Sequence, residues 1–592
     1  MTNFRIGQTA RGRMANGKMA HGRMALAAML LSTVGILPAA GAMAAQGSAD
    51  LPSLTSATGS YLAGRFAQHQ DDWSAAALFM AHALSADPGD LALLRRTYLL
   101  KLGEGQFDAA IDLAKRLIEK DNDPQLAITL LAADNMARGK MNEADAMAAR
   151  MPREGMGKYI GPLLDAWLAA ARGNTDKALQ ALNPLSAASG FSALHDLHAA
   201  LILDLGGRKD EAAERYAKVV DQEAPLRVVQ IVGNFYERTG RKDDARKVYE
   251  AFRSSNPDSL MIEPSLKALN EGKTAGPVVG DAKQGLAEAL FDLGSAIHHE
   301  GAEETALLFG RIALHLRPDL TLAQLMIGDI MENRDHHADA LAEFKALEKD
   351  PVLGWSARLR AADALARLER TDEAIAALNQ LSAERPERTD ATIRLGDLYR
   401  SAKRYDEAAA AYTKALDCIG TPQERHWVVL YARAMSYDKI DRWPDAERDL
   451  KAALALKPNE AYLLNYLGYS YVDRAINLDQ AKGMIERAVE LRPKDGYIVD
   501  SLGWALYRTG DFEGAVEKLE RAVELKPTDA TINDHLGDAY WRVGRRNEAR
   551  FQWNRALRTA DEDPLKEQIR AKLDQGLVDP KAAEVAPKVK VQ

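Results

Sequence analysis

Cysteine is almost missing from this chain: 592 residues contain one, Cys418. A lone thiol cannot close an intramolecular disulfide, so stability has to come from packing even in an oxidising compartment. Cys418 itself reads as a filler at a helix end. Aromatic residues are scarce as well, 6% against 47% hydrophobic and 27% charged. A composition rich in Ala, Leu and Glu and poor in the aromatic and β-branched residues that strands favour points to helix. Basic charge is in the minority, with 77 Lys and Arg against 85 Asp and Glu and a net charge of −8. Phosphate backbones are bound by basic surfaces, and neither a positive balance nor a long basic stripe is present, which argues against nucleic acid as a partner.

Long apolar runs are also lacking, with one exception at the start. The first 44 residues hold five basic residues (Arg5, Arg11, Arg13, Lys18 and Arg23) and no Asp or Glu. An apolar run from Met24 to Ile36 follows, then Pro38 and a mostly small-residue stretch ending in Ala42-x-Ala44. That order predicts a signal peptide at 1–44, cleaved after Ala44. The alternative is an uncleaved anchor, because Met24 to Ala45 is long enough to span a bilayer. Either way the chain is expected to be exported: periplasmic in the first case, held by the inner membrane and facing the periplasm in the second. No cysteine lies near the cleavage region for a lipid anchor, and no adjacent Arg-Arg pair marks twin-arginine export. Without the leader, 72 basic residues face 85 acidic ones, about −13.

What the chain does have is a period. Leu467-Gly468-x-x-Tyr471, Leu502-Gly503 and Leu536-Gly537-x-x-Tyr540 recur 35 and then 34 residues apart. Each is followed in step by an alanine (Ala481, Ala515, Ala549), a bulky residue four later (Ile485, Leu519, Trp553) and a second alanine (Ala488, Ala522, Ala556). Walking back in the same frame, the alanine slot falls on Ala76, Ala110, Ala144, Ala178, Ala212, Ala245, Ala306, Ala340, Ala374, Ala408 and Ala446, so all fourteen units carry it. The small-residue slot twelve or thirteen positions earlier is Gly or Ala from Gly64 to Gly537, with Tyr98 the one departure. Small residues on both helices let two backbones cross closely, and prolines such as Pro88, Pro257, Pro458 and Pro527 stop the second helix.

This pattern resembles the tetratricopeptide repeat, with its Leu-Gly-x-x-Tyr helix, its Ala-x-x-x-aromatic helix and its closing Pro. The resemblance covers roughly residues 53 to 560. It implies an all-α fold, a helix-turn-helix solenoid wound as a right-handed superhelix, with about 14 repeats in two segments. The expected layout is a signal peptide at 1–44, an N-terminal array at 45–257, a hinge at 258–284, a C-terminal array at 285–560, and a capping helix and tail at 561–592. The units around Ala110, Ala144 and Ala178 are degenerate. The frame breaks between Ala245 and Ala306, where the flexible stretch Glu271 to Gly280 follows a short helix candidate, Pro264 to Asn270. A smaller insert lies at Asp417 to Pro422. Pro564 to Gln575 suits a cap for the last repeat.

Catalytic signatures are missing. Gly272-Lys273-Thr274 looks like the end of a phosphate-binding loop, but the glycine required five residues before Gly272 is Lys267 and no strand precedes it, so a turn is the plain reading. The pairs His298-His299 and His336-His337 sit at different points of their repeats and read as solvated helix-end histidines rather than metal ligands. No Gly-x-Ser-x-Gly, His-Glu-x-x-His or Gly-x-Gly-x-x-Gly occurs. No metal, cofactor or catalytic residue is therefore expected, and repeats leave no room for a separate catalytic domain.

In this family the first helices of successive units line a concave groove. The residues flanking the packing positions in the last three complete units are Tyr462, Asn465 and Tyr469, then Tyr497, Asp500, Trp504, Tyr507 and Arg508, then Asp534, Asp538, Trp541 and Arg542. An aromatic cluster flanked by Asp and Arg in an aromatic-poor chain is what an interface hot spot needs. Asn465 alone does not make the Lys and Asn clamp by which chaperone-binding relatives hold a terminal carboxylate. The resemblance implies a non-catalytic scaffold of the bacterial cell envelope that binds a peptide or protein partner in the groove. The alternative is a carbohydrate-binding or polymer-guiding subunit of an export or polysaccharide-assembly system, with the same rings stacked on sugars.

Overall fold

The computed structural model describes residues 56–577 except 122–123, 189, 222, 274–275 and 562. The expected leader, 1–44, and the tail from 578 lie outside the described residues. Within them the chain is all-helical, with thirty α-helices, one 3-10 turn at Glu424–His426 and no strand. No described helix is long and apolar enough to cross a membrane.

The helices come in pairs whose spacing follows the sequence period, from Ala57–His69 with Trp73–Ala86 to Ala530–Arg542 with Arg546–Thr559. The reason is visible slot by slot. Every one of the fourteen alanines, Ala76 to Ala549, is 0% exposed. Facing them in most pairs, the small residue of the first helix lies against a bulky residue four positions after the alanine; after Ala144 and Ala306 that position holds Ala148 and Gly310 instead. A Cβ on Gly233 would sit 2.1 Å from the Tyr249 ring, one on Gly396 2.6 Å from Tyr412, and one on Gly537 2.4 Å from Trp553. The small residue thus makes the hole that the large one fills. At the exceptional Tyr98 the order is reversed. Tyr98 is buried and the bulky slot of its partner helix holds Ala114, also buried, so one ring still fills the space between the two helices. The seven prolines Pro88, Pro257, Pro318, Pro386, Pro458, Pro493 and Pro527 stand two residues beyond the ends of second helices, past the last carbonyls that need an intrahelical donor.

The chain divides into two compact units, residues up to Arg370 and residues from Thr371. In the first, six helix pairs from Ala57 to Ser255 are followed by a short helix, Glu263–Asn270, and by the pair Ala282–His299 and Glu303–Leu316. Residues 258–284 run inside this unit. The pair Ala282–Leu316 does more than stack on the next repeat. It lies against the first helices of earlier pairs, Leu91–Gly103, Gln125–Ala137, Gly157–Ala171 and Ser192–Leu205.

In the second unit, the helices Asp390–Ser401, Trp427–Lys439, Ala461–Asp473, Gly496–Thr509 and Ala530–Arg542 are the first members of their pairs, and successive ones touch, Trp427–Lys439 and Ala461–Asp473 through the rings of Tyr431 and Tyr466. They form one continuous face. The insert at Asp417 to Pro422 ends the long helix Tyr405–Ile419 at Gly420, whose φ is 70°. The last helix, Asp563–Gln575, packs on Arg546–Thr559 through Ile569, its single buried residue.

Candidate functional site

The candidate face belongs to three helices of the second unit, and capping fixes where two of them start. Asp495 accepts from the Tyr497 amide at 3.1 Å and Asp529 from the Ile532 amide at 3.1 Å, as carboxylates at N-caps do. From those starts a helical turn brings Asp500, Trp504 and Tyr507 onto one side of Gly496–Thr509, and Asp534, Asp538 and Trp541 onto the corresponding side of Ala530–Arg542.

The centre is a stack of three rings. Trp504 lies between Tyr507, with centroids 4.8 Å apart and planes at 8°, and His535, at 4.1 Å and 13°. His535 Nδ1 is 3.0 Å from Asp500 Oδ1. Burial would lower the His535 pKa, but Asp500, with Asp534 and Asp538 behind it, outweighs burial and raises it. The imidazolium is therefore favoured against the indole face, a cation–π arrangement. Arg542 Nε donates to the Tyr507 hydroxyl at 3.2 Å, and Tyr507 in turn meets Phe512 edge-on.

Around that core the expected residues separate by environment. Asp500, Asp534 and Asp538 are buried. Asp534 and Asp538 share Lys572, whose Nζ donates to them at 2.7 and 2.8 Å, and Asp538 also accepts from Trp553 Nε1 at 2.9 Å. Burial and the neighbouring Asp534 push the Asp538 carboxyl up to about 6, against the pull of Lys572. Trp541 stands beside Trp553 with Arg546 over its ring at 3.9 Å, and Gly576 presses on it so closely that a Cβ there would fall 2.0 Å from the ring. These three residues of the expected set are thus under the last helix and its end.

Towards the other side the face is more open. Tyr497 is exposed, with Lys526 over its ring at 5.2 Å. Tyr462 is half-buried, its ring covered by Arg492 at 4.6 Å and its hydroxyl 3.4 Å from Asp495. Arg508 Nη2 reaches the Asp473 carbonyl at 3.5 Å. Burial pushes the Tyr469 phenol up to about 12, with Asp500 and Asp473 adding to it. The Asn465 Oδ1 is buried and has no partner among the described residues. Tyr469, Trp504 and Tyr507, from two adjacent repeats, therefore offer half-buried rings on one surface.

Sequence reasoning passed over His535 and Lys572. A signal existed: His535 lies 35 residues after Asp500, and Lys572 lies 34 after Asp538, so each pair is one repeat apart at matching register. Elsewhere, His336 Nε2 joins Asp71 at 3.0 Å, and Cys418 is exposed, with its Sγ 3.1 Å from the Glu387 carbonyl. Among the described residues no group of three or more His, Cys, Asp or Glu is placed to hold a metal ion.

Comparison with known proteins bears on the repeats. Family profiles described as tetratricopeptide repeat match residues 232–259, 325–381 and 359–423, and one described as TPR repeat matches 503–544. A TPR repeat-containing protein of Pseudomonas aeruginosa is 28% identical over 197 residues, 33% of this chain and 32% of the relative, so the match spans about a third of that protein. Among solved structures, the APC/C hetero-tetramer Cut9–Hcn1 is 15% identical at a TM-score of 0.37, covering 88% of this chain and 97% of its own. A tetratricopeptide repeat protein from Parabacteroides merdae is 15% identical at 0.36, covering 42% and 97%. By the matched profiles, residues 232–259, 325–423 and 503–544 are similar to tetratricopeptide repeats, and the helix pairs on either side of them follow the same period.

Proposed function

We propose that the chain is a non-catalytic interaction scaffold of the bacterial cell envelope, exported by its amino-terminal leader, that binds a peptide or protein partner on the first-helix face between Tyr462 and Arg542. The observation that supports this most is the Tyr507–Trp504–His535 stack. Its rings are held rigid by Asp500 and Arg542 yet remain part-exposed at Trp504 and Tyr507. Pre-ordered rings bury large area at little entropic cost, which is what the centre of a binding surface requires. With Asp534 and Asp538 tied to Lys572, the open part of the surface runs from Tyr462 to Tyr507.

The test is affinity capture from envelope extracts with the mature chain and with a Trp504→Ala/Tyr507→Ala double variant of verified helicity. A protein held by the first and lost by the second supports the reading. Identical sets with both variants would overturn it. Capture that survives high salt and is competed by soluble glycan would instead favour sugar stacking over peptide binding.

A further inference from the structure

His535 has no counterpart in the repeat pattern. The same position holds Ser501 one unit earlier and Tyr466 two units earlier, and neither packing slot of the repeat calls for an imidazole there. Yet His535 is buried and its neighbours are specific. Asp500 and Trp504 lie one turn apart on the same side of Gly496–Thr509. Trp504 stacks on the His535 ring, and Asp500 faces Nδ1 with both carboxylate oxygens, at 3.0 and 3.1 Å. Two residues of one repeat thus grip a single side chain of the next.

Every neighbouring element contributes to the charge around this grip. The helix of His535 itself supplies Asp534 and Asp538, and the last helix supplies Lys572, which donates to both. Arg546–Thr559 adds only the neutral Trp553 N–H on Asp538. Arg542 ties the Tyr507 hydroxyl at the other end of the stack, and Tyr469 of Ala461–Asp473 lies near Asp500. With His535 and Asp538 both protonated, two cations, His535 and Lys572, face two carboxylates, Asp500 and Asp534. With both deprotonated, one cation faces three carboxylates. Those three carboxylates are buried, where unbalanced charge is costly. The imidazolium therefore neutralises the layer behind Trp504, and it attracts the indole face in a way that a neutral imidazole does not.

We propose that His535 is a positioning residue of this face: its imidazolium form locks Trp504 in the stack and its neutral form releases it, so that partner binding is tightest with His535 protonated. The role rests on the Tyr462–Arg542 face being the binding surface. It adds regulation to that surface, because Trp504 and Tyr507 are the rings a partner would bury, and the group that orders them sits one repeat further on, under the last helix.

Fluorine NMR tests it on the full chain labelled with fluorotryptophan. The Trp504 resonance, assigned by its loss in Trp504→Phe, is followed from about pH 5 to about pH 9, with folding confirmed by circular dichroism. The expected resonance moves in one step with a midpoint above 6.5, the ordinary imidazole value. The step vanishes in His535→Gln and moves to lower pH in Asp500→Asn. A resonance indifferent to pH, or a step that persists in folded His535→Gln, refutes the proton link. If His535→Gln does not fold, Asp500→Asn decides alone, since an unmoved midpoint there refutes it equally. Capture from envelope extracts is then compared at about pH 6 and about pH 8. A protein held roughly fivefold more weakly at the higher pH, the scale of one cation–π contact, with the difference gone in His535→Gln, is the expected outcome. The two ways to fail are distinct: identical capture by Trp504→Ala/Tyr507→Ala sinks the face itself, whereas pH-indifferent capture that the double variant loses sinks only the role of His535.

Discussion

At the scale of single residues, the fold rests on a size rule between two slots. Gly537 and Trp553 are its sharpest case, because Trp553 is fully buried and its Nε1 is tied to Asp538, so the ring cannot withdraw. Gly537→Ala is therefore expected to destabilise the second unit by about 1–3 kcal/mol through overpacking, read as a lower urea midpoint at unchanged slope. A midpoint equal to wild type would show that the ring has room. Titration of the same region has a definite sign. The raised His535 pKa stabilises the fold in full below the unfolded value near 6.5, and that contribution is lost as pH rises through the folded value. Asp538, at about 6 when folded and near 3.8 when unfolded, keeps a proton that the unfolded chain has lost, so stability also falls between those values as pH rises. Thermal melting should then show the second unit losing stability between about pH 4 and 6 through Asp538, and again as pH rises past about 6.5 through His535. Asp538→Asn should flatten the part below about pH 6 and leave the rest.

Among the elements, the last helix has the clearest individual role. Asp563–Gln575 has one buried residue, Ile569, and yet holds Lys572 between two buried carboxylates. Lys572→Met leaves Asp534 and Asp538 buried without their cation and should cost on the order of 3 kcal/mol at pH 7. At pH 5 the loss should be smaller in urea unfolding, since Asp538 then takes up a proton in place of the lysine. An equal loss at both pH values would mean that the lysine stem, not its charge, is what packs. The same helix marks how far the site was legible. Twelve groove residues could be named from register alone, since spacing fixes which side of a helix a residue occupies. Whether a residue on that side is covered was decided by Lys572 and Gly576, which reach back from one repeat further on.

At the scale of the molecule, repeats contact their neighbours and stability is close to a sum of local terms, so a chain with two compact units should not unfold as one. Scanning calorimetry of the full chain is expected to show two transitions, with Gly537→Ala lowering only the one that belongs to residues after Thr371. A single transition moved as a whole would indicate that the two units are thermodynamically coupled. The first-helix faces differ between the two units as well. One first-helix face, in the second unit, keeps part-exposed rings, while the other, in the first unit, is filled by Ala282–Leu316.

The sequence by itself determined the helices, their number and their pairing, because each alanine and glycine slot reports a contact within one repeat or with the next, and such contacts recur at the period of the chain. Tertiary structure alone decided which charges are neutralised and which face is covered. Arg311 meets the Gly103 carbonyl across 208 residues, and His336 meets Asp71 across 265. No period encodes those meetings. They depend on small rotations accumulated over six helix pairs, which bring the seventh back onto the faces of the earlier ones.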